Sequence, residues 1–166
     1  FIGVIDAGLP RWIRDRFDED LTAIFNALET GWGFELPEKA TLLFAFEGFD
    51  HHGYSNKGGV IGSLLIVQSG GTDFREESDA ILNSLRWVYA HEAAHLFQNA
   101  TGLVQVSSAD SWISEGAANT IAHAILIEID DAQIDARLEA YARSYRDCIE
   151  ALSAGPLREA GQRNQY

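Results

Sequence analysis

Cysteine is almost absent from this 166-residue chain. The single Cys148 excludes an internal disulfide and leaves any bound metal to nitrogen and oxygen ligands. Methionine is missing altogether and the chain opens on Phe1, which is the expectation for a piece of a longer protein. Basic residues are scarce, 12 against 25 acidic ones, for a formal charge of −13. Such a charge repels phosphate backbones and anionic lipid, so no nucleic acid partner is expected, and it reads as a solvated surface that aids solubility. Long apolar runs are also lacking. The stretch at residues 60–67 falls far short of the roughly twenty residues of a spanning helix, so no membrane span is expected in this segment.

What is present is an ordinary globular composition, 46% hydrophobic and 22% charged. At this length a single domain over residues 1–166 buries roughly two-thirds of the surface of its unfolded chain. After Pro10, apolar Ile13, Phe17, Leu21, Ile24, Phe25 and Leu28 recur at three- and four-residue steps, which predicts an amphipathic helix stopped by Gly31 and Gly33. Residues 41–46, rich in aromatic and aliphatic side chains, predict a buried strand, and residues 47–59 a loop. A second strand follows at 60–67, with Gly62 marking a bulge or a close backbone approach.

From about Asp73 to Ala100 the pattern is helical, with Glu76 placed for capping and Gly102 as the stop. Residues 107–110 supply caps for a helix to about Ile129, and Asp130-Asp131 opens another that ends before Gly155-Pro156. Strands segregated from helices point to the α+β class.

Within the 73–100 helix lies His91-Glu-Ala-Ala-His95. Histidines four apart stand one turn above the other on one helix face, so both rings can reach one ion. Glu92 is rotated by about 100° from His91, a position from which it flanks the ion without binding it and takes a proton from water. Chance alone gives this pentapeptide about once per hundred such sequences, so the surrounding residues must decide. A catalytic zinc needs a third protein ligand and an open position; Glu115, separated from His95 by nineteen intervening residues, lies far enough on for the next helix to return alongside.

Two blocks resemble the gluzincin metallopeptidases, and within them the catalytic domain of the aminopeptidase/leukotriene-hydrolase and glycyl-aminopeptidase families. One is His91-Glu-Ala-Ala-His95. The other is Asp110-Ser-Trp-Ile-Ser-Glu-Gly-Ala-Ala118, which is similar to the D-x-W-L-x-E-G-x-A segment around the third ligand, with Trp112, Glu115, Gly116 and Ala118 in register. The gap between ligands is one residue longer than in those aminopeptidases and equals that of thermolysin-like members.

The resemblance implies a zincin-like, thermolysin-type fold, in which a small sheet is followed by an active-site helix and further helices. It also implies Zn²⁺ on His91, His95 and Glu115, with a peptide or protein as substrate. Residues 58–62 resemble the G-x-M-E-N edge strand of the family, so Gly59, Val60 and Ile61 are expected to bind substrate backbone. Ile61 stands where aminopeptidases carry the glutamate that recognises a free amino group, which leaves exo- against endopeptidase open. Tyr166 falls where these families place an oxyanion-steadying tyrosine, with Tyr141 and Tyr145 as weaker candidates.

The expected activity is therefore zinc-dependent hydrolysis of peptide bonds, with Glu92 as general base for the metal-bound water. The alternative is a binding or scaffold domain on the same fold that retains zinc. Asn119, one turn after Glu115, is a candidate to fix the tautomer of a ligating histidine. His51 and His52 read as a solvated loop, and His123 as a structural residue.

Overall fold

A computed structural model describes residues 1–102, 111–153 and 155–156 of the chain, with the backbone alone at residue 133. Strand β1 (Ile2–Ile5) leads into α1 (Arg11–Trp32), then β2 (Thr41–Phe46), β3 (Ser55–Ile61) and β4 (Leu64–Gly70). Helices α2 (Asp79–Ala100), α3 (Ser111–Ile129) and α4 (Ile134–Ser153) follow, with short 3-10 turns at Thr72–Arg75 and Asp131–Gln133. The class is α+β, and among the described residues no helix is long and apolar enough to cross a membrane.

Pro10, at φ −52°, precedes α1 with its backbone already near helical φ, and Gly33 ends the helix in the left-handed region at φ 73°. Its N–H reaches back to the Glu29 carbonyl; Gly31 lies inside the helix and does not stop it. The buried side chains of α1 are the expected stripe, joined by Asp20 and Ala27. They pack on one face of a four-stranded sheet ordered β1-β2-β4-β3, where Leu42 pairs with Leu65 and Phe44 with Val67, all four fully buried. Strands β1, β2 and β4 run parallel, while β3 is antiparallel to β4 and forms the end of the sheet.

At the centre Phe17 of α1, Phe44 of β2 and Tyr89 of α2 meet, with ring centroids 6.0–6.2 Å apart. Burying each such ring stabilises the fold by roughly 2–3 kcal/mol. This three-way contact seats α2 on the sheet beside α1, and an ion pair at 2.8 Å between half-buried Arg86 and buried Asp20 joins the two helices.

Several boundaries differ from expectation. The strand expected at 60–67 is a hairpin that turns at Gly62, φ 61°, so that the loop expected at 47–59 contains most of β3. A strand this rich in polar residues and glycine forms because β4 supplies its hydrogen-bond partners, not because of its own propensity. Strand β1 lies before the first expected element. Thr72–Arg75 is a 3-10 turn and α2 begins only at Asp79, so Glu76 does not cap it. Asp130 does cap, accepting from the Ala132 N–H at 3.2 Å, but what it opens is the 3-10 turn before α4. The expected α3 caps at 107–110 lie outside the described residues.

Candidate metal centre

Helix α2 is buried on most of its circumference from Val88 to Gln98. Fully buried Ala90, Ala93 and Ala94 let the neighbouring elements come close, and the sheet, α1 and α3 enclose the helix. His91 and Glu92 are 7% and 8% exposed, so their polar groups are held in a nearly dry setting. Glu115 enters from the second turn of α3, with its side chain 46% exposed, which leaves the cluster open to solvent on that flank.

Three electron-pair donors converge. His91 Nε2 lies 3.1 Å from Glu115 Oε2, His95 Nε2 lies 3.5 Å from the same oxygen, and the two nitrogens are 3.2 Å apart. Tetrahedral zinc, with bonds of about 2.0–2.2 Å, holds its ligand atoms roughly 3.3–3.5 Å from one another. The triangle therefore has the dimensions of one face of a zinc tetrahedron. Among the described residues it is the one cluster of three or more histidine, cysteine or acidic side chains able to hold a metal.

The charges agree with that use. Hydrogen bonds from His91, then from His95, hold the Glu115 carboxyl far below the usual carboxylate range. Burial opposes charge on His95, but its hydrogen bond and attraction to Glu115 outweigh burial and raise its pKa. Glu92 is raised, chiefly by burial; His91 and His95 pull it back and Glu115 adds to the rise.

Glu92 is placed by a glycine. A Cβ on Gly58 of β3 would overlap the Glu92 side chain, coming 2.7 Å from its Cδ, so any other residue there would have to displace the Glu92 carboxyl. Of the neighbouring strand residues, Gly59 is half-buried, Val60 packs partly into the core, and Ile61 is 71% exposed beside the hairpin turn. Gly58, just before these three, meets Glu92.

Asn119 does not make the expected bond: among the described residues its Oδ1 and His91 Nδ1 are both buried without a hydrogen-bond partner. The outer contact is made instead by Gln98, whose Oε1 lies 2.8 Å from His95 Nδ1. The spacing of three from His95 was a signal for it, since such residues share a helix face. His91 is braced by Trp87, ring centroids 5.0 Å apart.

Tyr166 and Asp110 lie outside the described residues. The Tyr141 hydroxyl donates to the Thr120 carbonyl at 2.8 Å, and Tyr145 is 69% exposed. Trp112 is 44% exposed, while His51 Nε2 meets Ser55 Oγ at 3.2 Å. His123 is buried between Trp87 and Tyr141. Comparison with models of known protein families, with curated proteins and with solved structures returns no match.

Proposed function

We propose that the chain is a zinc-dependent peptidase of zincin type, with His91, His95 and Glu115 as the metal ligands and Glu92 as general base. The observation that carries this reading is the donor triangle of 3.1, 3.2 and 3.5 Å, matched to a tetrahedral face and flanked by a buried carboxylate. Bound there, zinc supplies a Lewis acid that polarises a carbonyl and brings the pKa of water down to about 7.

The chain's own residues supply the rest. Glu115 contributes negative charge to the ligand set and leaves the exposed flank free for water and substrate. Glu92, adjacent to His91 in sequence and pressed against Gly58, accepts the proton of the attacking water and returns it to the leaving amine. Its raised pKa suits both halves of that transfer. Strand β3 ends the sheet, so its outer edge, paired with no further strand among the described residues, suits an extended peptide held by backbone hydrogen bonds, which need no amino-group anchor at Ile61.

Glu92→Gln should bind zinc as tightly as the wild type and lose peptide hydrolysis by about 10²–10⁴-fold, measured on a peptide library with and without chelator. Unchanged turnover in that variant sinks the assignment of the base. Zinc binding by a wild-type protein that cleaves nothing in the library leaves the scaffold reading.

A further inference from the structure

A histidine can offer Nε2 to a metal only when Nδ1 carries the ring proton, so something must hold that tautomer. For His95 the acceptor is Gln98 Oε1 at 2.8 Å. An amide has two unlike ends, and the far end decides which of them faces the ring. Gln98 Nε2 sits 3.2 Å from the Ser114 carbonyl, which can only accept, so the NH₂ must point there and Oε1 must face His95. Gln98 is 4% exposed, so water does not compete for either end.

The direction of the chain of bonds is thereby fixed from α3 through Gln98 to the ring. Ser114 immediately precedes Glu115 in sequence, so one amide joins the helix that bears the carboxylate ligand to the ring of a histidine ligand. Among the described residues His91 has no such arrangement, since its Nδ1 is buried there without a partner.

We propose that Gln98 is a positioning residue that holds the Nδ1–H of His95, so that the neutral ring has Nε2 bare toward His91 and Glu115. The proposal rests on the metal reading above, but the tautomer exists without metal and can be read separately. Gln98→Leu removes the acceptor for His95. Gln98→Glu keeps an acceptor and loses the donor to Ser114.

The test uses the full chain in three forms, wild type, Gln98→Leu and Gln98→Glu, with zinc affinity measured by competition against a chromophoric chelator. Thermal melting of the metal-free forms reports folding. Zinc affinity should fall by about 10–100-fold in Gln98→Leu and stay within about threefold of wild type in Gln98→Glu. Equal losses in the two variants would mean that the tie to Ser114 is what matters, and would overturn the proposal, as would no loss in either.

If Gln98→Leu does not fold, Gln98→Glu still decides, because a tenfold loss there contradicts the scheme. In addition, ¹⁵N spectra of the neutral His95 ring in the metal-free wild type should show Nδ1–H; a ring dominated by Nε2–H overturns the proposal. A wild type that shows Nδ1–H yet binds no zinc removes the metal reading and leaves the tautomer assignment standing.

Discussion

Helices α1 and α2 are both 22 residues long and pack side by side, yet they are built on opposite plans. Helix α1 buries a stripe and, Asp20 apart, leaves most of its charges toward water, so its polar groups need little from the fold. Helix α2 is enclosed from Val88 to Gln98 and carries two histidines, a glutamate and a glutamine inside that enclosure. A polar side chain placed there must find a partner or a ligand, because leaving it unpaired costs roughly 1–3 kcal/mol. The candidate metal centre sits on the helix where polar groups are costly, and a dry, fixed setting strengthens charge interactions and resists rearrangement.

The sharpest way to break the comparison is at the one charge that α1 buries. Asp20 is 8% exposed and holds Arg86 of α2 through Nε at 2.9 Å and Nη2 at 2.8 Å. Removing one member of such a pair strands the other, at a cost of about 3–5 kcal/mol. Asp20→Ala should therefore lose about 3 kcal/mol in denaturant unfolding, and Asp20→Ala with Arg86→Met should recover most of it. If α1 serves only as a support, the double variant binds zinc as the wild type does. A tenfold change in its affinity would show that the pair also sets the position of the proposed metal ligands.

The same contrast explains what could be read from the residues in order. Helix α1 was legible because a stripe writes itself as three- and four-residue spacing. The pair His91 and His95 was legible for the same geometric reason, and Glu115 through the block around Trp112 and Gly116. Strands β1 and β3 were not: β3 draws its conformation from β4, and its polar and glycine-rich residues alone resemble a loop. Gly62 was misassigned for a related reason, as a hairpin turn at φ 61° and a bulge both call for glycine. Gln98 and Gly58 were missed because their roles depend on Ser114 and Glu92, partners that only the packed structure brings near.

A smaller effect tests whether enclosure extends past α2. His123 of α3 is 7% exposed, and burial, then the nearby charges of Arg137 and His91, lower its pKa below the ordinary 6.5. Below that pH the unfolded chain takes up a proton that the folded chain resists. The stability this group contributes is thus fully present above pH 6.5 and is lost as pH falls from there through the folded value. His123→Phe keeps a ring against Trp87 and Tyr141 and removes the titration. Its melting temperature should fall less between pH 7 and 5 than that of the wild type, and parallel curves would show that His123 does not titrate across folding.

The least effect is expected where α1 meets water. Arg11 and Asp15 form an ion pair at 3.2 Å, with side chains 85% and 62% exposed. Exposed pairs at this spacing contribute about 0.3–0.5 kcal/mol at best, and here the order is the weaker one, cation before anion. Arg11 is also the first residue of the helix, where the positive end of the dipole opposes a cation by about 0.3–1 kcal/mol. The two effects nearly cancel, so Arg11→Ala should change unfolding free energy by less than about 0.5 kcal/mol, and added salt should shift it little. A loss above about 1 kcal/mol would mean that the pair anchors the start of α1, and that this helix relies on its polar face after all.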